Sequence, residues 1–288
     1  MNNLQIQRAS EGVVFPMSEE EVADWYRNQG VKLLYHEGHY WKESRFSFYE
    51  PIHLLARLNA KEATCPKRLY LGFRASLCED DAKVANGIIP IHLLSDVDGY
   101  DLQSLPSKRR RQVRKSFELV SFIELKNPVL LYEQGYEVYA SATARLSGNI
   151  IHLVSKKTYL ANLKNHLISE KVFLLAGLIN DRLAAYITGY AVNGSAYIDT
   201  IYVATDALST SIGTGLVFEF VQACRRSGNI REVFYGYDTP KDPALTYFKE
   251  GMGFPVQYIP STVAINRVIE PFLRWRYPSA YYITTGHN

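Results

Sequence analysis

An α/β fold built on a mixed sheet and divided into two domains is what this 288-residue sequence predicts. Three observations carry it. Strand-like runs alternate with helix-period stretches along the whole chain. The turn signals Asn180-Asp181 and Asn193-Gly194 tie three consecutive strands into an antiparallel meander. A polar, glycine-bearing elbow then leads from the third strand into an amphipathic helix, with a further strand and helix behind it.

At 47% hydrophobic residues, the chain has apolar material for one large core or two moderate ones. No apolar run reaches the roughly 18 residues that span a bilayer, so no membrane partner is expected. The opening, Met1 to Arg8, lacks the charged-then-apolar plan of a secretory leader. Cys65, Cys78 and Cys224 offer neither a paired framework nor metal-ligand spacing, and point to a reducing, cytoplasmic setting without a metal. The net charge of +3 is unevenly spread: residues 1–105 carry 11 Lys/Arg against 15 Asp/Glu, and residues 106–288 carry 21 against 14. Six of the cations stand in Lys108–Lys115, a density that points to an anionic partner or a phosphate-bearing ligand.

The first domain is expected over residues 1–105. Ser18, with Glu21 three residues on, reads as a capping box for a helix that Gly30 ends. Val31–Tyr35 and His39–Trp41 flank a turn at His36–Gly38 and predict a hairpin, in which turn placement accounts for the two histidines better than metal ligation. A short helix is predicted over Ile52–Ala60, after Pro51. Arg68–Arg74 and Gly87–Leu94 read as strands, and Pro90 assigns the second to a sheet edge or a bulge. The polar connector Asp96–Pro106, with its Asp98-Gly99 pair, marks the boundary.

The second domain, residues 106–288, opens with Ser107 as the expected N-cap of a basic helix over 108–118. A strand at Leu119–Leu125 and helices at Leu130–Leu146 and Lys157–Ile168 follow, with Gly148-Asn149 breaking between the helices. The meander strands are Lys171–Ile179, Arg182–Val192 and Ala196–Val203. After the elbow come a helix over Leu216–Arg226, a strand at Glu232–Tyr237 and a helix from Pro243. Strands at Val256–Ile259 and Thr262–Ile265 and a helix over Asn266–Trp275 complete the chain.

Where the elbow meets its helix, the sequence is Thr210-Ser211-Ile212-Gly213-Thr214-Gly215. Free backbone N–H groups and the positive end of the helix dipole coincide there. Glycines let an anion approach the backbone without a Cβ between them. The pattern describes a phosphate cradle with Ser211, Ile212, Gly213, Thr214 and Gly215 as its contacts; close helix–sheet packing is the other use of the two glycines. No P-loop or dinucleotide-binding glycine run competes. Upstream, Asp199 stands mid-strand among apolar neighbours, where a carboxylate has to be paired, hydrogen-bonded or facing a cleft. Strict alternation puts Tyr197, Asp199 and Ile201 on one face and Ile198, Thr200 and Tyr202 on the other. Asp238 closes the next strand, at the end where open α/β sheets keep their ligand crevice, or else serves turn chemistry. Lys249 lies beside a Leu245, Phe248 and Met252 stripe, the setting of a lysine that reaches to solvent.

On these residues, the stretch 195–254 resembles the GNAT superfamily of N-acyltransferases, whose Gln/Arg-x-x-Gly-x-Gly/Ala loop holds the pyrophosphate of coenzyme A. Both glycines match, as Gly213 and Gly215, while Thr210 stands where the family has Gln or Arg. Phe248-Lys249 followed by Gly253 is similar to the Fem-like branch. So is Arg110-Arg111-Gln112-Val113-Arg114-Lys115, which resembles the basic helix opening that branch's second domain. The resemblance covers about residues 107–270. It implies a GNAT-like acyltransferase domain preceded by a smaller, degenerate GNAT-like half.

The resemblance also implies an activity. The donor is acyl-coenzyme A, most simply acetyl-coenzyme A, and the acceptor is a small-molecule amine that attacks directly. Asp199 is then the leading general base, with Lys249 an auxiliary contact and Asp238 a further acid at the crevice. Backbone near Tyr202 and Val203 polarises the thioester carbonyl. Two alternatives stand beside this reading: an aminoacyl-tRNA-dependent transferase with tRNA on Lys108–Lys115, and a non-catalytic module that binds acyl-coenzyme A or an anionic polymer. A homodimer is compatible with each.

Overall fold

The structure, a computed structural model, describes residues 6–45, 47–67, 70–146, 153–238 and 242–287. The expected break at Gly148-Asn149 and the start, at Arg68, of the strand expected over Arg68–Arg74 lie outside the described residues.

The first elements are β1 (Ile6–Arg8) and α1 (Glu19–Asn28). The Glu21 N–H donates to Ser18 Oγ at 3.2 Å and the Ser18 N–H to the Glu21 carboxylate at 2.8 Å, so the capping box forms. β2 (Leu33–His36) and β3 (His39–Arg45) make the expected hairpin, turning through Glu37 and Gly38 at φ of 49° and 84°. β4 (Phe48–Pro51), β5 (Gly72–Ser76) and β6 (Gly87–Leu94) follow. The segment Ile52–Ala60 is not a helix. Ile52, Leu54, Leu55 and Leu58 are all buried, Arg57 takes a φ of 51°, and Leu58 bridges Leu77, so burial on several sides overrides the local preference.

α2 (Ser107–Leu119) starts one residue earlier than expected: Pro106 occupies the N-cap position and Ser107 is the first helical residue. β7 (Ser121–Leu125) leads through a π-turn at Leu131–Gly135 into α3 (Tyr136–Leu146), then α4 (Lys156–His166). β8 (Phe173–Ile179), β9 (Arg182–Val192) and β10 (Ser195–Val203) are the meander. Asn180 and Asp181 turn at φ of 50° and 60°, and Asn193 and Gly194 at 48° and 91°, both in the sense that matches strand twist. α5 (Ile212–Ser227) stops at Gly228, with φ 69°. β11 (Glu232–Tyr237), α6 (Pro243–Gly251), β12 (Val256–Ile265), α7 (Glu270–Arg276) and α8 (Pro278–Thr285) end the chain. The two strands expected at 256–265 are one, running through Pro260, and α8 is an addition. Pro90 lies inside a sheet rather than at an edge. It sits opposite Tyr258 of β12, and on the other side its carbonyl accepts from the Asp238 N–H at 3.0 Å.

The chain forms two compact units that interleave along the sequence, in place of a single boundary at 105/106. The first gathers the N-terminal segment up to Pro16 with Leu94–Phe234 and Gly251–Gly253; the second holds Met17–Leu93, Tyr235–Glu250 and Phe254–Asn288. In the first unit the strand order is β1-β7-β8-β9-β10-β11, with only β10/β11 parallel. One face of this sheet carries α3 and α4 over a core of Leu131, Val138, Tyr159, Leu174 and Tyr186. The other carries α5, so close that a Cβ on Gly189 would lie 2.4 Å from the Phe220 ring. Burying each such large apolar side chain stabilises the fold by roughly 1.5–3 kcal/mol. In the second unit the order is β6-β12-β5-β4-β3-β2, with only β4/β5 parallel, around Trp41, Tyr49, Leu58, Phe73 and Leu77.

Candidate functional site

The elbow is built by β10 and α5. Along β10 the register against β9 shifts between Ile198 and Thr200, so Asp199 is the extra residue of a β-bulge. This corrects the alternation expected from sequence. Tyr197 stacks on Tyr190 at 5.0 Å, the Thr200 and Thr188 hydroxyls meet at 2.7 Å, and Tyr202 packs on Tyr186 at 5.3 Å. Because residues 186, 188 and 190 share one face of β9, the bulge has moved Thr200 and Tyr202 onto the face of Tyr197. The parallel ladder with β11 ends at Tyr197 opposite Phe234, while β10 runs on to Val203. The Val203 carbonyl accepts from Arg145 Nη1 at 3.1 Å, and the same nitrogen donates to Thr205 Oγ1 at 3.1 Å.

A 3-10 turn at Thr205–Thr210 carries the chain to Ser211, which takes a φ of 60° although it is not glycine. The Thr214 and Gly215 N–H groups both donate to the Ser211 carbonyl, at 2.9 and 3.2 Å. The amides of Ile212 and Gly213 thus head the helix at its positive end. The two glycines part company here. A Cβ on half-buried Gly213 would meet only the Val203 side chain, at an ordinary 3.4 Å. A Cβ on buried Gly215 would lie 2.3 Å from the Phe122 ring and 2.5 Å from Ser116 Oγ. A Cβ is accommodated at Gly213, whereas Gly215 lets α5 pack against α2 and β7. Thr214 and Ile212 are buried as well.

At the bulge, Asp199 Oδ2 lies 3.6 Å from Nε2 of His166, the last residue of α4. Burial pushes the His166 imidazole below its ordinary pKa, with the Asp199 charge pulling it back up. Sequence reasoning missed His166 because its partner comes from another element; no local signal marks it.

Asp238 and Lys249 belong to the other unit. Lys249 is only 6% exposed, its Nζ donating to the Tyr237 carbonyl at 3.4 Å over the Tyr235 ring at 5.2 Å. The expected reach to solvent is therefore absent: burial lowers this ammonium to a pKa of about 8, against the pull of Asp238 and Asp242. Buried Asp238 accepts from Tyr282 Oη at 3.3 Å and Thr246 Oγ1 at 3.4 Å and lies 3.6 Å from His92 Nε2. Tyr237 meets Arg74, which also binds Glu50 through two nitrogens, at 3.1 and 2.8 Å. Burial pushes Tyr237 up to about 12; at Glu50, burial is outweighed by Arg74 and Lys42, which hold the carboxyl below its ordinary range.

Residues 142–254, which take in β8–β10, the elbow, α5 and α6, match the family model described as acetyltransferase (GNAT) family. That span is a GNAT domain. No curated protein matches the chain. Solved structures share the fold over most of its length. FemX aligns with a TM-score of 0.58 and 10% identity, over 88% of this chain and 92% of FemX. L-PGS from Bacillus licheniformis aligns with a TM-score of 0.57 and 12% identity, over 95% of this chain and 98% of that one. The C-terminal domain assigned as a lysylphosphatidylglycerol synthetase in Agrobacterium fabrum gives 0.55 and 11%, over 92% of each. At these identities the likeness is one of fold, and at that level the Fem-like expectation is met.

Against the GNAT domain's α5 lies the basic helix α2. Its cations are sorted: Arg109 is buried and would touch a Cβ on Gly251 at 2.6 Å, whereas Lys108, Arg111, Arg114 and Lys115 are exposed. The Arg110 guanidinium bonds Gln103 Oε1 at 3.1 Å.

Proposed function

We propose that the protein is an N-acyltransferase carrying an acyl group from acyl-coenzyme A, in the simplest case acetyl-coenzyme A, to the amine of a small molecule. The elbow carries this reading: a strained Ser211, a half-buried Gly213 at the head of α5, and a strand whose parallel ladder stops just before the bulge. The amides of Ile212 and Gly213 suit the donor pyrophosphate. The β10 backbone at Tyr202 and Val203 suits the thioester carbonyl. The amine lone pair forms the C–N bond, the C–S bond breaks, coenzyme A leaves as thiolate, and the ammonium proton passes to a base. Asp199 is the base in this reading, and His166, kept neutral by burial, shares the proton. Three free cysteines fit a cytoplasmic enzyme. Calorimetric titration with coenzyme A tests the reading: the wild type binds and Gly213→Val binds at least tenfold more weakly. Equal affinity in a folded variant overturns it, and binding without turnover of any amine leaves a sensor module.

A second reading is favoured by one observation, the row of exposed cations on α2. An aminoacyl-tRNA donor would use them on its phosphates. A net charge of +3 is small for a polymer binder, which ranks this donor second.

A further inference from the structure

After β12 the chain turns at Asn266, whose carbonyl accepts from both the Ile269 and Glu270 N–H groups, and enters α7. Ile269 and Leu273, four apart, are half-buried and face the unit's own core side. The sides of a surface helix turned away from its core contacts are ordinarily polar. Here Phe272 and Trp275, three apart on α7, are 54% and 77% exposed, and Val268, in the turn that enters the helix, is 86% exposed. Tyr277 extends the row and is exposed too. Arg267, Arg274 and Arg276 interleave with these residues and are also exposed. The Arg276 guanidinium stands 5.1 Å from the Tyr277 ring centre and that of Arg274 5.9 Å from Tyr281. The one acid of the segment, Glu270, accepts from Tyr281 Oη at 2.8 Å and is thereby held towards α8.

We propose that this segment, Arg267–Tyr277, docks the protein on an anionic lipid surface. Indole and phenol rings prefer the headgroup level, where an apolar body and a polar tip are both satisfied. Arginines at the same level meet lipid phosphates, and Val268 and Phe272 enter the acyl boundary. Charge decides against a second copy of the chain: a twofold pairing of this face sets Arg267, Arg274 and Arg276 against their own copies, with Glu270 already engaged. The absence of a spanning helix among the described residues is no obstacle, because a docking helix lies in the interface. The expectation of no membrane partner, drawn from the lack of a span, does not address such an element.

Trp25 and Trp41 are buried, so among the three tryptophans Trp275 is the one whose emission responds to docking. The full chain is titrated with vesicles of phosphatidylcholine alone and of phosphatidylcholine with 30% phosphatidylglycerol. With the anionic vesicles, the emission shifts to the blue, acrylamide quenching falls and the protein co-sediments. Partitioning drops about tenfold or more in Phe272→Ala/Trp275→Ala and about fivefold for each of Arg267→Gln and Arg276→Gln. Unchanged quenching of the wild type, partitioning indifferent to these variants, or equal binding to neutral vesicles overturns the proposal. So does a concentration-dependent dimer that Trp275→Ala dissolves, which assigns the face to a second copy.

Discussion

The Asp199 carboxylate and the His166 imidazole approach to 3.6 Å, one from the bulge of β10 and the other from the last turn of α4. A carboxylate exposed by a bulge and an imidazole whose pKa is lowered by burial make a proton-accepting pair drawn from two elements. Asp199→Asn, which keeps the shape, is expected to lower turnover by roughly 10²–10⁴-fold near neutral pH, with the loss shrinking at high pH where the amine is already free. Normal turnover with a lower melting temperature assigns Asp199 to structure.

His166 also sets a stability slope. Its folded pKa lies below the unfolded value of about 6.5, so the unfolded chain binds more protons between the two. Stability from this group is full above about pH 6.5 and is lost as the pH falls below it. Melting curves of His166→Gln should show a shallower acid limb than the wild type. The slope does not vanish, because His92 is depressed in the same direction by its own burial.

The two elbow glycines should respond oppositely. The Cβ of Gly213→Val meets only the Val203 side chain, at ordinary contact distance, so the fold should be retained while coenzyme A affinity drops at least tenfold, about 1.4 kcal/mol. Gly215→Ala drives a Cβ into Phe122 and Ser116 and should cost roughly 1–3 kcal/mol of stability. Parallel denaturation and ligand titration separate the two effects; equal destabilisation by both removes the distinction.

Lys249, with a folded pKa of about 8, binds fewer protons than its unfolded counterpart between about pH 8 and 10.5. Its contribution to stability therefore rises with pH across that window, by at most about 1.4 kcal/mol per pH unit. Lys249→Met should flatten this part of the profile relative to the wild type. Identical slopes in both proteins would mean that the ammonium is solvated.

For α2, Arg111→Gln/Arg114→Gln/Lys115→Gln alters exposed groups and should leave coenzyme A binding nearly untouched. If tRNA is the donor, the wild type shows a log–log salt slope of roughly −0.7 to −0.9 per phosphate, and the triple variant flattens it by about two to three units. A flat wild-type profile retains acyl-coenzyme A. Arg109→Ala, by contrast, empties a buried position and should lower the melting temperature.

The sequence by itself determined what a few neighbouring residues decide. Ser18 and Glu21 close their capping box, Asn180-Asp181 and Asn193-Gly194 turn the meander, Gly228 stops α5, and the elbow follows β10 in the expected order. These are local effects, because the partners of each hydrogen bond lie within one turn. The tertiary structure alone decided the rest. The bulge at Asp199 reassigned the faces of Thr200 and Tyr202, since one extra residue in a ladder reverses every side chain beyond it. Phe122 and Ser116 made Gly215 a packing glycine, while a Cβ on Gly213 would make only ordinary contact with Val203. Burial against distant residues kept Arg109 and Lys249 from solvent and drew Ile52–Ala60 out of a helix. In each case the deciding atoms belong to elements far along the chain, and their free energy enters only when the sheets and helices pack.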